Sequence, residues 1–223
     1  MLARIGCLAF AAFALGACDQ VSGAVANGLS RIGAPADSTS AGIRTLSLLD
    51  GAVRVRGPEG YCIDQGASDA RRGFAVMAGC ALMSRNAGVM PALDGLITVQ
   101  FGQVGTASVA GNEAAFAALL ASDAGRALLA SNGDAATVPQ VSTVTGTSGV
   151  LARFEDTSGP AMHGTSGPQW RGFMDVRGRL VTVSVHSFDR APLSARQGEQ
   201  LLVTTLQDVA AVNDALRTTL QNR

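Results

Sequence analysis

Two alternating runs that meet at Asp50-Gly51 constrain this chain more than any other feature of its sequence. Asp-Gly between such runs is the strongest short signal for a hairpin, because a two-residue turn needs positive φ at both central positions. The turn predicts Leu49 opposite Ala52, Leu48 opposite Val53, Ser47 opposite Arg54 and Leu46 opposite Val55. One face then collects Leu46, Leu48, Val53 and Val55, while Thr45, Ser47, Arg54 and Arg56 share the other. The same test succeeds late in the chain. A turn at Arg177-Gly178 places Met174 against Val181, Gly172 against Val183 and Trp170 against Val185 on one face. Arg171, Phe173, Asp175, Thr182, Ser184 and His186 fall on the opposite face.

Strands with one apolar face need a cover. Ile97, Val99 and Phe101 alternate in a further strand, and segments 74–80, 138–145 and 149–155 also read as strands. Helical patterns occupy 112–131 and 194–221. The first should break near Ser122-Asp123, with Asp123 as the N-cap of its second half. The expected class is α+β, a mainly antiparallel sheet covered by helices and closed by a long C-terminal helix. A hairpin, a mid-chain helix, then a final hairpin and a long helix: this order resembles the Mog1/PsbP-like fold, from which no function is carried over.

On the last helix, Leu202, Leu206, Val209, Asn213, Leu216 and Leu220 step by four and three. That is a coiled-coil seam with an Asn where parallel dimers fix their register. Leu201, Thr205 and Val212 widen the stripe, as a helix lying on a sheet requires. Docking on the strands also covers Val181, Val183 and Val185, so docking is expected and a homodimer through this helix is not.

The chain opens with Arg4 ahead of an apolar run from Ile5 to Ala17, long enough for a signal-peptide core and too short to span a bilayer. The run ends in Leu15-Gly16-Ala17-Cys18, which resembles the lipobox of bacterial lipoproteins. The resemblance implies a diacylglycerol thioether on Cys18, cleavage just before it, and acylation (palmitate being one such chain) of the new amino group. Each buried methylene contributes about 0.8 kcal/mol, so two or three acyl chains hold a protein on a membrane. The expected organisation is a signal peptide over 1–17, a lipidated Cys and tether over 18–42, and a domain over 43–223. Within the tether, Val21, Val25 and Leu29 precede a Pro/Ser/Thr/Gly stretch that reads as a spacer. Asp19 stands where enterobacteria read a signal for retention in the inner membrane; inner versus outer membrane stays open.

Export decides the reading of the cysteines. Cys7 leaves with the signal and Cys18 takes lipid, so Cys62 and Cys80 remain in an oxidising compartment. Zinc would want four ligands, but there is no Cys-x-x-Cys and there are only two histidines. A structural disulfide between Cys62 and Cys80 is expected, stapling the polar, Gly-rich loop over 66–73 (GASDARRG), and no metal site is expected.

Chemistry is sparse elsewhere. All 17 basic residues are Arg, balanced by 17 acidic ones, with no basic block, which argues against nucleic acid as a partner. Aromatics make up 4%, too few for a base-stacking platform. No P-loop or dinucleotide fingerprint is present, so no cofactor is expected. Residues 156–168 repeat Thr-Ser-Gly-Pro around His163. Gly164-Thr165-Ser166-Gly167-Pro168 is similar to the Gly-Asp-Ser-Gly-Gly-Pro of trypsin-like proteases but lacks the Asp and one Gly. Neither histidine, His163 or His186, stands where that family keeps its general base.

Two readings follow. In the first, the chain is a lipid-anchored envelope protein in the periplasm that binds or scaffolds another envelope component without catalysis. Its candidate binding patch is Arg171, Asp175, Thr182, Ser184 and His186 on the uncovered sheet face. In the second, it is a periplasmic hydrolase using His163 or His186, with Ser166 as the candidate nucleophile.

Overall fold

The computed structural model describes residues 42–83, 90–146 and 149–221, with side chains as far as Asp214 in the last helix. Residues 1–41, where a signal peptide, Cys18 and a tether are expected, and the side chains of Leu216 and Leu220 lie outside the described residues.

The fold is α+β. Strands β1 (Thr45–Leu48) and β2 (Val53–Arg56) form a separate two-stranded hairpin. The main sheet holds β3 (Tyr61–Asp69), β4 (Phe74–Gly79), β5 (Gly95–Phe101), β6 (Val141–Thr145), β7 (Gly149–Phe154), β8 (Thr165–Val176) and β9 (Arg179–Phe188). Their order is β3-β4-β5-β9-β8-β7-β6, and all pairs are antiparallel. The helices are α1 (Cys80–Met83), α2 (Glu113–Ala121), α3 (Asp123–Leu129) and α4 (Ala195–Gln221).

Turn chemistry sets both hairpin registers. Arg177 and Gly178 adopt φ of 53° and 73°, as a two-residue turn requires, and Trp170, Gly172 and Met174 oppose Val185, Val183 and Val181. In the first hairpin the ladder runs from Thr45–Arg56 to Leu48–Val53 and stops there. The expected pairing of Leu49 with Ala52 is reduced to one turn bond, from Ala52 N–H to the carbonyl of Leu49 at 3.0 Å, because Leu49 joins Asp50 and Gly51 at positive φ. Its N–H then reaches across to the Ala70 carbonyl.

Helix α4 and the β1-β2 hairpin cover one sheet face. Leu201, Leu202 and Val209 bury against Trp170, Val181, Val183 and Val185, with Leu48, Val53 and Val55 from the hairpin. The wide stripe thus meets the chain's own strands. Close approach depends on Gly172, where an added Cβ would stand 2.7 Å from Leu206 Cδ1 and 3.1 Å from Leu202 Cδ1. Helix α4 begins with a reciprocal cap: Gln197 N–H donates to Ser194 Oγ, and Ser194 N–H donates to Gln197 Oε1.

The opposite face is not left open, contrary to expectation. Helices α2 and α3 cover its β6–β8 end, where Leu120 and Leu129 pack with Val150, Ala152, Phe154 and Phe173. The Phe116 and Phe173 rings lie 5.1 Å apart. At the other end Ala67, Val76, Ala78, Leu96 and Phe188 form a third cluster, with Met162 packed on it. The physical reason lies in α2 itself: Phe116, Ala117 and Leu120 form an apolar stripe that needs a second surface, while its other side stays exposed.

Three boundaries differ from the sequence reading. The helix break falls at Ser122, but Ser122 rather than Asp123 is the cap, accepting from Gly125 N–H; Asp123 sits in the first turn, where a carboxylate favours the helix dipole. The segment read as a strand from 138 begins at Val141, since Pro139 cannot donate to a ladder. The polar stretch after Cys62, read as a loop from Gly66 to Gly73, is strand β3 as far as Asp69, with a bulge between Asp64 and Asp69. Asp64 Oδ1 accepts from Gly66 and Ala67 N–H there, breaking the alternation that would have marked a strand.

Candidate functional site

The site forms where the β8–β9 ladder is interrupted. Thr165 and Ser166 oppose Phe188 and Ser187, and pairing then resumes with Gln169 opposite His186. Between them lie Gly167, at φ 69°, and Pro168, which has no N–H to give the ladder. This break, with the 155–164 loop that follows β7, opens a cleft of about 280 Å³. Glu155, Asp156, Ser166, Gln169, His186 and Asp189 are among its lining residues.

Asp156 fixes the rim. Its Oδ2 accepts from Ser131 N–H at 2.7 Å, and its Oδ1 accepts from Ser158 N–H at 3.0 Å and Ser158 Oγ–H at 2.7 Å. Burial alone would raise its carboxyl, but these donors outweigh burial and hold it well below the ordinary carboxylate range. Two more bonds tie the loop down, from Thr157 N–H to the Thr137 carbonyl and from Asp189 N–H to the Gly164 carbonyl.

The base of the cleft is polar and buried. Gln169 is 6% exposed and His186 4%. Gln169 Oε1 has no hydrogen-bond partner among the described residues, and neither does Arg171 Nε. Burial, reinforced by the Arg171 charge, pushes the His186 imidazole down to about 4, so it is neutral at ordinary pH. Burial also lowers the Arg171 guanidinium, which Asp156 partly offsets, and the group lies 5.2 Å above the Phe154 ring.

The five residues of the sequence-derived patch share a face but not a site. Asp175 is occupied elsewhere: its carboxylate accepts from Ser108, Val109 and Ala110 N–H at 3.0, 2.8 and 2.8 Å, anchoring the segment that leads into α2. Thr182 lies opposite Phe173, beside the apolar cluster under α2. Ser184 pairs with Arg171 and Thr98 in the middle of the sheet and is buried. His186 alone of the five lines the cleft. Ser166 lines it too, whereas His163 is exposed on the loop and is not part of the lining. Glu155, Asp156 and Asp189 were missed. Gln169 was visible only as the residue opposite His186 in the hairpin register.

Away from the cleft, Cys62 and Cys80 form a disulfide with Cα atoms 4.8 Å apart. It links the start of β3 to the residue after β4, so it clamps the open end of a hairpin. Among the described residues no group of three or more His, Cys, Asp or Glu is placed to hold a metal. No described helix is long and apolar enough to cross a membrane.

No family model matches the chain, and no curated protein sequence matches it. Similar solved structures include the Ran-binding protein Mog1p of Saccharomyces cerevisiae, at 14% identity and a TM-score of 0.43, covering 79% of this chain and 99% of that one. A point mutant of protein Mog1 gives 14% identity and 0.42, covering 77% and 97%. A structure from Bacteroides thetaiotaomicron gives 12% and 0.37, covering 73% of this chain and 47% of that one.

Proposed function

We propose that this chain is a lipid-anchored protein of the bacterial envelope whose periplasmic domain works by binding, with the cleft under the 155–164 loop as its site. The anchor rests on the lipobox ending at Cys18 and the apolar run before it. The observation that carries the binding reading is the buried pair Gln169 and His186 lining a cleft of about 280 Å³. Leaving a buried polar group unpaired costs about 1–3 kcal/mol, and a ligand that pairs with it recovers part of that cost on binding. The rim needs no ligand to take shape, because Asp156 already fastens it to Ser131 and Ser158. A site ordered in advance loses little entropy on binding.

The anchor is tested by feeding an alkyne fatty acid to cells that make the full chain. Label is expected on the natural chain and none on Cys18→Ala. Label persisting on Cys18→Ala overturns the anchor.

Hydrolysis is the second reading, favoured by one observation: Ser166 and His186 line the same cleft. A fluorophosphonate probe separates the two. Labelling that disappears in Ser166→Ala would establish a nucleophilic serine and displace the binding reading.

A further inference from the structure

We infer that the cleft takes a small organic cation, an ammonium-bearing ligand of a few carbons, held by Glu155 and Asp189 at the rim and by Gln169 and His186 at the base. This rests on the binding reading above and gives that site its ligand class.

The argument begins with the acceptors. Asp156 has both carboxylate oxygens occupied by Ser131 and Ser158, so it shapes the rim rather than meeting a ligand. Glu155 and Asp189 are different. Both line the cleft, both are exposed, and neither has an ion pair among the described residues. Two unpaired carboxylates flanking a recess of about 280 Å³ make a local negative potential, and low-dielectric walls concentrate it.

Carboxylates at a rim are common on protein surfaces and would carry nothing alone. The base supplies the independent observation. Gln169 is more than nine-tenths buried and lines the cleft, and its amide oxygen, itself out of solvent, has no partner among the described residues. His186 is equally buried beside it and neutral, so one ring nitrogen presents a lone pair. The rim therefore asks for a positive charge, above a base whose buried amide the described fold leaves unpaired. Two cations lie nearby and neither pairs with a rim carboxylate: Arg190 bonds Asp94, and Arg171, whose charge bears on His186, stacks on Phe154 and is not among the cleft's lining residues.

Size and charge narrow the class further. The cleft is at the small end of ligand sites, which run from about 300 to 1,000 Å³. Among the described residues no group fits a bare metal ion, and an organic ammonium spreads its donors over both rim and base. An anion would meet two carboxylates on entry. An uncharged ligand would leave both of them without a counter-charge.

The test uses the full chain in detergent micelles and three probes of equal length: 1,4-diaminobutane, 1,4-butanediol and succinate. The readout is the ring resonance of His186 by NMR, which is easily assigned because the chain has only two histidines. The expected result is a saturable shift of His186 with the diamine, none with succinate, and His163 unmoved. Asp189→Asn, an exposed and structurally mild change, should weaken diamine binding about tenfold. Gln169→Glu should tighten it. Saturable binding of succinate instead would overturn the cation class and leave the cleft a binding site. Equal binding of the diol would overturn the role of the carboxylates. No shift with any probe overturns the inference, while failure of the binding reading itself shows separately as fluorophosphonate labelling at Ser166.

Discussion

Asn213 pairs with the backbone of Arg54, 159 residues away: Arg54 N–H donates to Asn213 Oδ1 at 3.0 Å, and Asn213 Nδ2–H donates to the Arg54 carbonyl at 2.8 Å. The side-chain amide thus acts as a one-residue strand along β2. A second donor bond reaches the Val209 carbonyl within the helix, at 2.7 Å. The Asn that would set a dimer register is satisfied inside the fold, at 1% exposure.

That relationship gives the first prediction. Asn213→Leu adds apolar area but strands a part-buried N–H and C=O of Arg54, and leaving such groups unpaired costs about 1–3 kcal/mol each where water cannot replace the partner. Stranding outweighs the gain, so a denaturant melt should show a lower midpoint at unchanged slope. A variant as stable as the natural chain would show that the hairpin does not depend on this clamp.

The disulfide carries the second. It closes a loop of 18 residues, for which the chain-entropy account gives about 3 kcal/mol. Cys62→Ser should lower stability by about 2–5 kcal/mol. Adding reductant to the natural chain should match the variant, because both release the same hairpin end. Alkylation followed by mass measurement on unreduced protein should find Cys62 and Cys80 unmodified.

Much of the first sheet face was legible in the sequence because two signals agreed there. Asp50-Gly51 and Arg177-Gly178 fixed the turns, and alternation fixed the faces around Val53, Val55, Val181, Val183 and Val185. Where signals conflicted, reading failed. Asp64 bends β3 by bonding its own Gly66 and Ala67, so the strand looked like a loop. The second face carries both Phe173 and Arg171, and only the packing of α2 decides that it is covered. The cleft depends on pairs distant in the chain, such as Asp156 with Ser131. His186 could be named as a candidate from its strand, but the 155–164 loop that shares its cleft could not.

Gly198 carries the third prediction. It lies against the indole of Trp170, the chain's single Trp, and an added Cβ would overlap the ring. In an exposed helix, Gly→Ala gains up to about 1 kcal/mol. Here the overlap with a buried, rigid ring costs about 1–3 kcal/mol or more, so the clash wins. Gly198→Ala should therefore destabilise and shift Trp170 emission to longer wavelength as the ring is pushed toward water. A more stable variant with unchanged emission would contradict this packing.

The last prediction concerns acid. His186 titrates at about 4 in the folded chain, chiefly because it is buried and secondarily because Arg171 is near, against about 6.5 when unfolded. Between those values the unfolded chain binds a proton that the folded chain does not. Stability from neutral His186 is therefore complete above about pH 6.5 and is lost as pH falls toward 4. The full difference is on the order of 3 kcal/mol. Asp156 works in a separate window: its lowered carboxyl supports the fold above the ordinary carboxylate range and fails only at more acid pH. His186→Gln stays neutral throughout, so its stability should change less than that of the natural chain between pH 6.5 and 4. The check is a set of denaturant melts at half-unit pH steps for both chains. Parallel curves across that window would mean that His186 takes up its proton without cost, and the buried neutral ring at the base of the cleft would have to be abandoned.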